Sequence, residues 1–400
     1  MSYIHFIEEL LGIQDITSDL SIKRSEERVE IHITHRKKKE KCPVCGKKTS
    51  KVHDYRRQTI KDLPAFGTPV RIVVRKRRYA CTECGKRFYE EIPYLTKYQR
   101  MTQRMIMKVL EELSDTKSFA SVAREYGISV NTAIRIFDNV SYSRPEKLPA
   151  ALSIDEFKGN TGGEKYNCII ADPISHQVLD ILPCREQWYI QDYFLKYTKQ
   201  QRSNVGIFVS DMWKPYQTTG KELFSNAMTV IDKYHWARQV VWAFERVRKD
   251  VQKHMSPEER RYFKHSRSLL IKPFNTLNDE DKMAVNVMLY CSAEISTAHF
   301  YKEKFQEIKL CRKRSDAKRL MDEWISSAME CEVSHISNCA RTMNNWKRGI
   351  LDSFTTSCTN GFIEGCNNKI KVLKRNAFGY RNFKRFRNRI LYMFASKKAN

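Results

Sequence analysis

The chain has 400 residues, enough for two or three domains with sizeable cores, and its 41% hydrophobic and 11% aromatic content excludes a disordered polymer. A formal charge of +26 and a pI near 9.6 argue against an ordinary metabolic enzyme and for a polyanionic partner, bound less tightly as salt rises. No apolar run of transmembrane length occurs, and the N-terminal MSYIHFIEELLGI carries acids where a secretion signal would be basic and then apolar, so a cytoplasmic protein without membrane contact is expected.

Residues 1–35 form an N-terminal segment in which RVEIHITH alternates as a strand does. Residues 36–92 hold Cys42-Pro-Val-Cys45-Gly and Cys81-Thr-Glu-Cys84-Gly, with 35 residues between the two CxxC units. Twelve cysteines in a large chain of this kind do not read as a disulfide framework; two CxxC turns instead offer four thiolates to one ion. That set predicts a zinc ribbon with a single structural Zn2+ on Cys42, Cys45, Cys81 and Cys84, because four thiolates leave no open position for catalysis. Eighteen Lys and Arg against four Asp and Glu between Arg36 and Arg87 predict that the ribbon also meets phosphate.

Residues 96–142 turn helical. SFASVAREYGISVNTAIRIFDNV reads as a helix, a turn at Gly127 and a second helix capped by Ser129, with Ala120, Val122, Ala123, Ile128, Val130, Ala133, Ile134 and Phe137 as its core. Asn131, Thr132 and Arg135 would then face outward, where a major-groove reader keeps its contacts. An ordinary helical hairpin is the bland alternative, disfavoured by the charge and the adjacent cysteine knuckles.

Arg144 to Ala150, with Pro145 and Pro149, reads as a linker, after which strands and helices alternate. ALSIDEF, YNCIIAD, HQVLDILP, VGIFVSD and MTVID are strand candidates; the first is an apolar run around Asp155, and the last two end in Asp211 and Asp232. Strand ends are where an α/β sheet places its chemistry. Residues 250–345 are charged and helical without strand texture, and read as a helical insertion. Within it Cys331, His335 and Cys339 recur at fourth positions, a core face of one helix in preference to a three-ligand metal site. The final stretch, Thr359 to Phe394, sets one acid, Glu364, among nine basic residues from Lys369 to Arg389. The positions three and four beyond Glu364 are Asn367 and Asn368, so no helical ion pair explains it.

Three acids on separate elements, Asp155, Asp211 and Glu364, would repel one another unless divalent cations neutralised them, as two-metal phosphoryl transfer requires. Oxygen-only ligands favour Mg2+ or Mn2+, two ions in this case. Lys371 returns to nearly the helical face of Glu364 and is placed to hold a phosphate, with Lys374 and Arg375 extending the contact. Singly, each acid reads equally well as a turn cap or a solvated residue. Asp232 and His235, in DKYH, are a metal-site neighbour or a simple helix cap.

CPVCG with CTECG, SVAREYGISVNTAIRI, LSIDEF, VSDMWKPY, VIDKYHWARQ and NGFIEGCNNKIKVLKRNAFGYRNFKRFRNRIL together resemble a bacterial insertion-sequence transposase of the DDE type, the group with an N-terminal zinc ribbon and a helix-turn-helix. The resemblance runs from about Cys42 to Leu391. It implies a multidomain α/β chain whose catalytic domain is a ribonuclease-H-like mixed sheet, residues 150–249 and 346–400, interrupted by the helical insertion. It assigns the three catalytic, metal-holding acids to Asp155, Asp211 and Glu364. It implies binding of double-stranded DNA at element ends and target, cleavage and joining of 3′-hydroxyl ends, self-association on DNA, and a nucleoid location when bound. Two rivals remain open at this point: a DNA-binding regulator whose acids have lapsed, and a metal-dependent nuclease without strand transfer.

Overall fold

A computed structural model of the chain describes residues 3–395 apart from 18, 93, 96–99 and 264–265. The expected start of the helix-turn-helix segment at 96 and the last five residues of the catalytic segment, 396–400, lie outside the described residues. The described residues divide into two units, one within Met1–Ser141 together with Val372–Phe378, the other within Tyr142–Lys371 together with residues 379–395.

In the first unit, α1 (Tyr3–Leu11) precedes β1 (Ser21–Arg24), β2 (Val29–Ile33), β3 (Glu40–Lys41), β4 (Lys48–Thr49), β5 (Val52–Ala65), β6 (Thr68–Ala80) and β7 (Arg87–Tyr89). β5 and β6 form a long hairpin that turns on Phe66 and Gly67, both at positive φ (52° and 77°), as a two-residue connection requires. β2 lies parallel to β6 and β1 antiparallel to β2, so residues from the N-terminal segment complete the ribbon's own sheet. Ile7, Leu11, Ile31, Ile33, Ile60, Ile72 and Val74 share one apolar core there. Next come α2 (Gln103–Glu112), α3 (Phe119–Glu125) and α4 (Val130–Phe137). Ser118 and Ser129 cap α3 and α4 through their side-chain oxygens, and Gly127 takes φ 60° between them.

The core of this helical pair departs from the expectation at two positions. Val122, Ala123, Ile128, Ala133 and Phe137 are buried and Ile134 is half-buried, but Val130 is 43% exposed and Ala120 is exposed. Phe119 fills the place given to Ala120, edge-on to Phe137 at 5.6 Å between ring centroids. Each misplaced residue is the first or second of its helix, where one residue's shift in the start rotates the side chain off the core face.

The second unit is built on a five-stranded sheet in the order β10-β9-β8-β11-β12, formed by β8 (Ala151–Thr161), β9 (Glu164–Asp172), β10 (Gln177–Leu182), β11 (Ile207–Ser210) and β12 (Met228–Ile231). β8, β9 and β10 are antiparallel neighbours, while β8, β11 and β12 run parallel: the mixed sheet expected. α5 (Gln187–Leu195), α6 (Lys199–Ser203) and α7 (Lys214–Leu223) connect these strands. Leu152, Ile154, Cys168, Phe194, Phe208, Tyr216 and Phe224 form the core under one face.

α8 (Lys233–His254) leads into α9 (Pro257–Tyr262), α10 (Ser266–Ile271), α11 (Asp279–Tyr290), α12 (Ala293–Leu310), α13 (Arg314–Met329) and α14 (Ser334–Asp352). Their large core runs from Ile231 and Trp236 through Phe305 and Trp324 to Ile350. α8 and α14 run unbroken through 249/250 and 345/346, so sheet and insertion share two helices. α14 lies close against β12: a Cβ built on Gly349 would stand 2.8 Å from Ile231 Cγ1 and 3.2 Å from Thr229 O, so only glycine permits that approach. Cys331 precedes α14 and is not on one helix with His335 and Cys339. Cys339 is buried in the core as expected, while His335 is half-buried and pairs with Asp250 at 2.8 Å. α15 (Gly361–Asn376) and α16 (Phe383–Ala395) close the chain.

Candidate DNA-processing site

The four knuckle cysteines converge. Their Sγ atoms all lie within 4.8 Å of one another, Cys42 being 3.5 Å from Cys84 and Cys45 3.5 Å from Cys81. Each knuckle closes through its glycine, Gly46 N donating to Cys42 O at 2.9 Å and Gly85 N to Cys81 O at 3.1 Å, with φ of 73° and 70°. The backbone N–H groups of Cys45 and Val44 aim at the Cys42 sulfur and bring its thiol down to about 6; those of Cys84 and Glu83 lower Cys81 likewise. Preformed N–H donors around a four-thiol set suit a structural zinc ion.

On α4, Asn131 and Arg135 are exposed and Thr132 is half-buried. The Thr132 hydroxyl lies 2.9 Å from Ser129 Oγ and accepts from Arg135 Nη2 at 3.4 Å, so the cap and the outward face are joined.

In the sheet, the register Val209↔Ser153 between parallel β11 and β8 carries on two residues to set Asp211 beside Asp155. Asp155 is the fifth of eleven residues in β8, not its last; what ends there is the partner strand, since β11 stops at Ser210. Asp155, Asp211 and Glu156 each offer an oxygen within 4.8 Å of the others. Glu156 was not anticipated, because neighbouring strand residues point to opposite faces and period-2 reasoning separates them. Its carboxylate accepts from Arg185 Nη1 at 3.1 Å and Tyr216 Oη at 3.3 Å. Arg185 itself stacks on Tyr166 and Trp213 at 4.2 and 5.0 Å.

Burial pushes the Asp155 carboxyl up to about 7, with the charges of Glu156, Asp232 and Glu364 adding to it. Burial also raises Asp211 to about 8, helped by Glu156 and Asp155 and opposed by Arg238 and Arg185. Asp211 Oδ1 is buried without a hydrogen-bond donor. Raised, mutually repelling carboxyls with an unmet oxygen fit a cation site: a divalent ion supplies the charge that neighbouring donors do not.

Glu364 stands outside the group within 4.8 Å, exposed in the first turn of α15. Its helix is nevertheless docked on the site. Asn367, one turn further and 6% exposed, donates from Nδ2 to Asp155 Oδ2 at 2.9 Å. Asn360 donates its backbone N–H to Asp232 Oδ2 at 2.9 Å and its side-chain amide to Ile154 O at 3.3 Å. Asp232 Oδ1 meanwhile accepts from Tyr234 N at 3.0 Å and caps α8. Asp232 is thus both a cap and a site neighbour, with both oxygens engaged by backbone N–H. His235 is half-buried beside it, and burial lowers its pKa.

Lys371 and Arg375 are exposed and Lys374 half-buried. Not all the cations nearby face solvent: Arg389 is fully buried, and Arg387 donates to Asp180 Oδ1 at 2.6 Å and Tyr142 O at 2.9 Å. Arg387 thereby ties α16 to β10. Among the described residues no helix is long and apolar enough to cross a membrane.

Acids gathered where a parallel strand ends, in a chain with two DNA-binding folds ahead of them, define an enzyme that processes DNA. Comparison with known proteins narrows that class: residues 152–390 match a family described as transposase, residues 38–84 the zinc-finger of transposase IS204/IS1001/IS1096/IS1165, and residues 90–141 the helix-turn-helix domain of transposase family ISL3. The chain belongs to the ISL3 family of insertion-sequence transposases. It is 25% identical over 352 residues to the transposase for insertion sequence element IS1001 of Bordetella parapertussis, covering 85% of each chain. It is also 25% identical over 141 residues to the transposase for IS1557 of Mycobacterium tuberculosis, covering 35% of this chain and 32% of that relative.

Proposed function

We propose that this transposase binds the terminal inverted repeats of its element through the ribbon and α4, and cleaves and joins DNA at Asp155, Asp211 and Glu364. The observation that carries the reading is the meeting of Asp155 and Asp211 across adjacent parallel strands, both carboxyls raised by burial. Asp155, Asp211 and Glu364 would hold two Mg2+ or Mn2+ ions, with Glu156 as a further carboxylate against them. When bound, such ions lower the pKa of an attacking water and neutralise a departing oxyanion.

In the first step a water oxygen attacks the scissile phosphorus, the bond to the 3′ oxygen breaks, and a 3′-hydroxyl and a 5′-phosphate result. In the second that 3′-hydroxyl attacks a target phosphorus, forming one phosphodiester bond as another breaks. Asn367 orients Asp155, while Asp232 and Asn360 fix the start of the helix that brings Glu364. Lys371, Lys374 and Arg375 hold phosphates along that helix, and Asn131, Thr132 and Arg135 read base edges in the major groove. Two ends must be handled together, so the working form is at least a dimer on DNA. This reading keeps as working divisions a ribbon at 36–92, a helix-turn-helix at 96–142, and a catalytic domain at 150–249 with 346–400.

Asp155→Asn tests the reading. It should bind element-end duplex as tightly as the parent and lose detectable cleavage; retained cleavage would remove Asp155 from the chemistry. Pre-cleaved ends supplied to the parent protein should give joined product, which a nuclease without strand transfer would not.

A further inference from the structure

Tyr234, Arg238 and Trp242 recur at every fourth position along α8. The Arg238 guanidinium carbon lies 5.0 Å from the Tyr234 ring centroid and 4.3 Å from that of Trp242, so ring, cation and ring form one stack. Both rings face solvent, Tyr234 at 53% and Trp242 at 42% exposure. The fold does not require them there, because Trp236, Val240, Phe244 and Val247 already fill the core side of the helix. Arg238 Nε is buried without an acceptor. Beyond Trp242 the exposed side continues with Arg246 and Lys249.

The stack begins at the carboxylates. α8 starts immediately after Asp232, whose backbone N–H donates to Ser210 O at 3.0 Å, and Asp211 is the next residue along the chain, just past the end of β11. The charge of Arg238 opposes the upward shift of Asp211. Arg185, the other arginine between two rings near the site, contrasts with it: its guanidinium donates to Glu156 and its rings are half-buried.

We propose that Tyr234, Arg238 and Trp242 form a stacking platform for unpaired bases of the DNA strand whose phosphate lies at the carboxylates. Aromatic faces accept any base, the guanidinium takes the intervening phosphate, and the cations beyond follow the backbone. Paired, stacked bases hide their faces, so the ligand is single-stranded DNA next to the reacting phosphate. The proposal rests on the catalytic reading above and concerns how the strand reaches that site.

The test measures binding without added magnesium or manganese. Three probes share one duplex: blunt, with a short single-stranded extension, and with an extension of abasic sites. The parent should prefer the base-bearing over the abasic extension by about tenfold. Trp242→Leu and Tyr234→Leu, which keep an apolar side chain, should lose that preference and bind the blunt duplex unchanged, and Trp242→Phe should retain most of it. Equal binding of both extensions by the parent would overturn the platform. So would a Trp242→Leu variant that keeps the preference, or one that weakens all three probes alike. Failure of the catalytic reading shows separately, as undiminished cleavage by Asp155→Asn alongside an intact preference.

Discussion

Two carboxyls account for much of what this site can do. Asp155 stands at about 7 and Asp211 at about 8, against an ordinary value of 3.8 for each. Between those limits the folded chain holds protons that the unfolded chain has released. The stability they contribute is therefore fully present below about pH 4 and lost as pH rises through about 7 to 8. In magnesium-free buffer the parent should melt at progressively lower temperature than Asp155→Asn as pH rises from about 6 to about 8, and Mn2+ should close that gap by replacing the protons. A gap that does not change with pH would exclude the proposed burial of charge. Glu156→Gln should weaken Mn2+ binding about tenfold, read by titration of the ion's own signal; an unchanged affinity would leave Glu156 a partner of Arg185 alone. Asp155 and Asp211 were legible in the sequence because each ends or interrupts an apolar run. Glu156, Asn360 and Asn367 were not. Their roles depend on partners over 200 residues distant for the two asparagines, and on a pairing that strand alternation argues against for Glu156.

Among the elements, the junction of β12, α8 and α15 is the most informative. Asp232 ends the strand, caps one helix and anchors the residue before the other. Asp232→Ala should cost about 1–2 kcal/mol by denaturant melting, as lost caps do. Cleavage under fully folded conditions should fall further than that loss explains, because the helix carrying Glu364 loses its tether; a variant that is merely less stable would separate cap from tether. Local signals served well where they were strong. Ser129 and Gly127 marked the helix-turn-helix, and five apolar runs marked the five strands of the sheet. They failed where packing decides. Nothing periodic shows that α8 and α14 serve sheet and insertion at once; the one trace is Gly349, whose need becomes visible only when β12 lies against it.

At the scale of the molecule, the net charge of +26 and the four-cysteine cluster act on the same function. Stripping zinc with a chelator should weaken binding of element ends by at least about tenfold. The unit holding the carboxylates should still melt cooperatively, since its core uses none of the four cysteines. Unchanged binding after verified zinc loss would separate the ribbon from DNA recognition. Domain order and chemistry were legible from spacing, charge and resemblance. The joining of residues before 36 to the ribbon's sheet was not, because a parallel pairing such as β2 with β6 leaves no turn signal between its strands.

The bonds from Asp232 to Asn360 and from Asn367 to Asp155 carry one last consequence. They tie Asn360 and Asn367, at the start of α15, directly to the sheet at Asp232 and Asp155, so peptide continuity through the insertion is not all that holds Glu364 in position. α12 and α13 are joined only by the short stretch 311–313, on either side of which Phe305 and Trp324 pack at 4.9 Å between ring centroids. Severing the chain there should give two co-expressed polypeptides that purify as one particle and cut DNA, a transposase in two pieces. Pieces that never associate would show that the covalent thread, not these bonds, assembles the site.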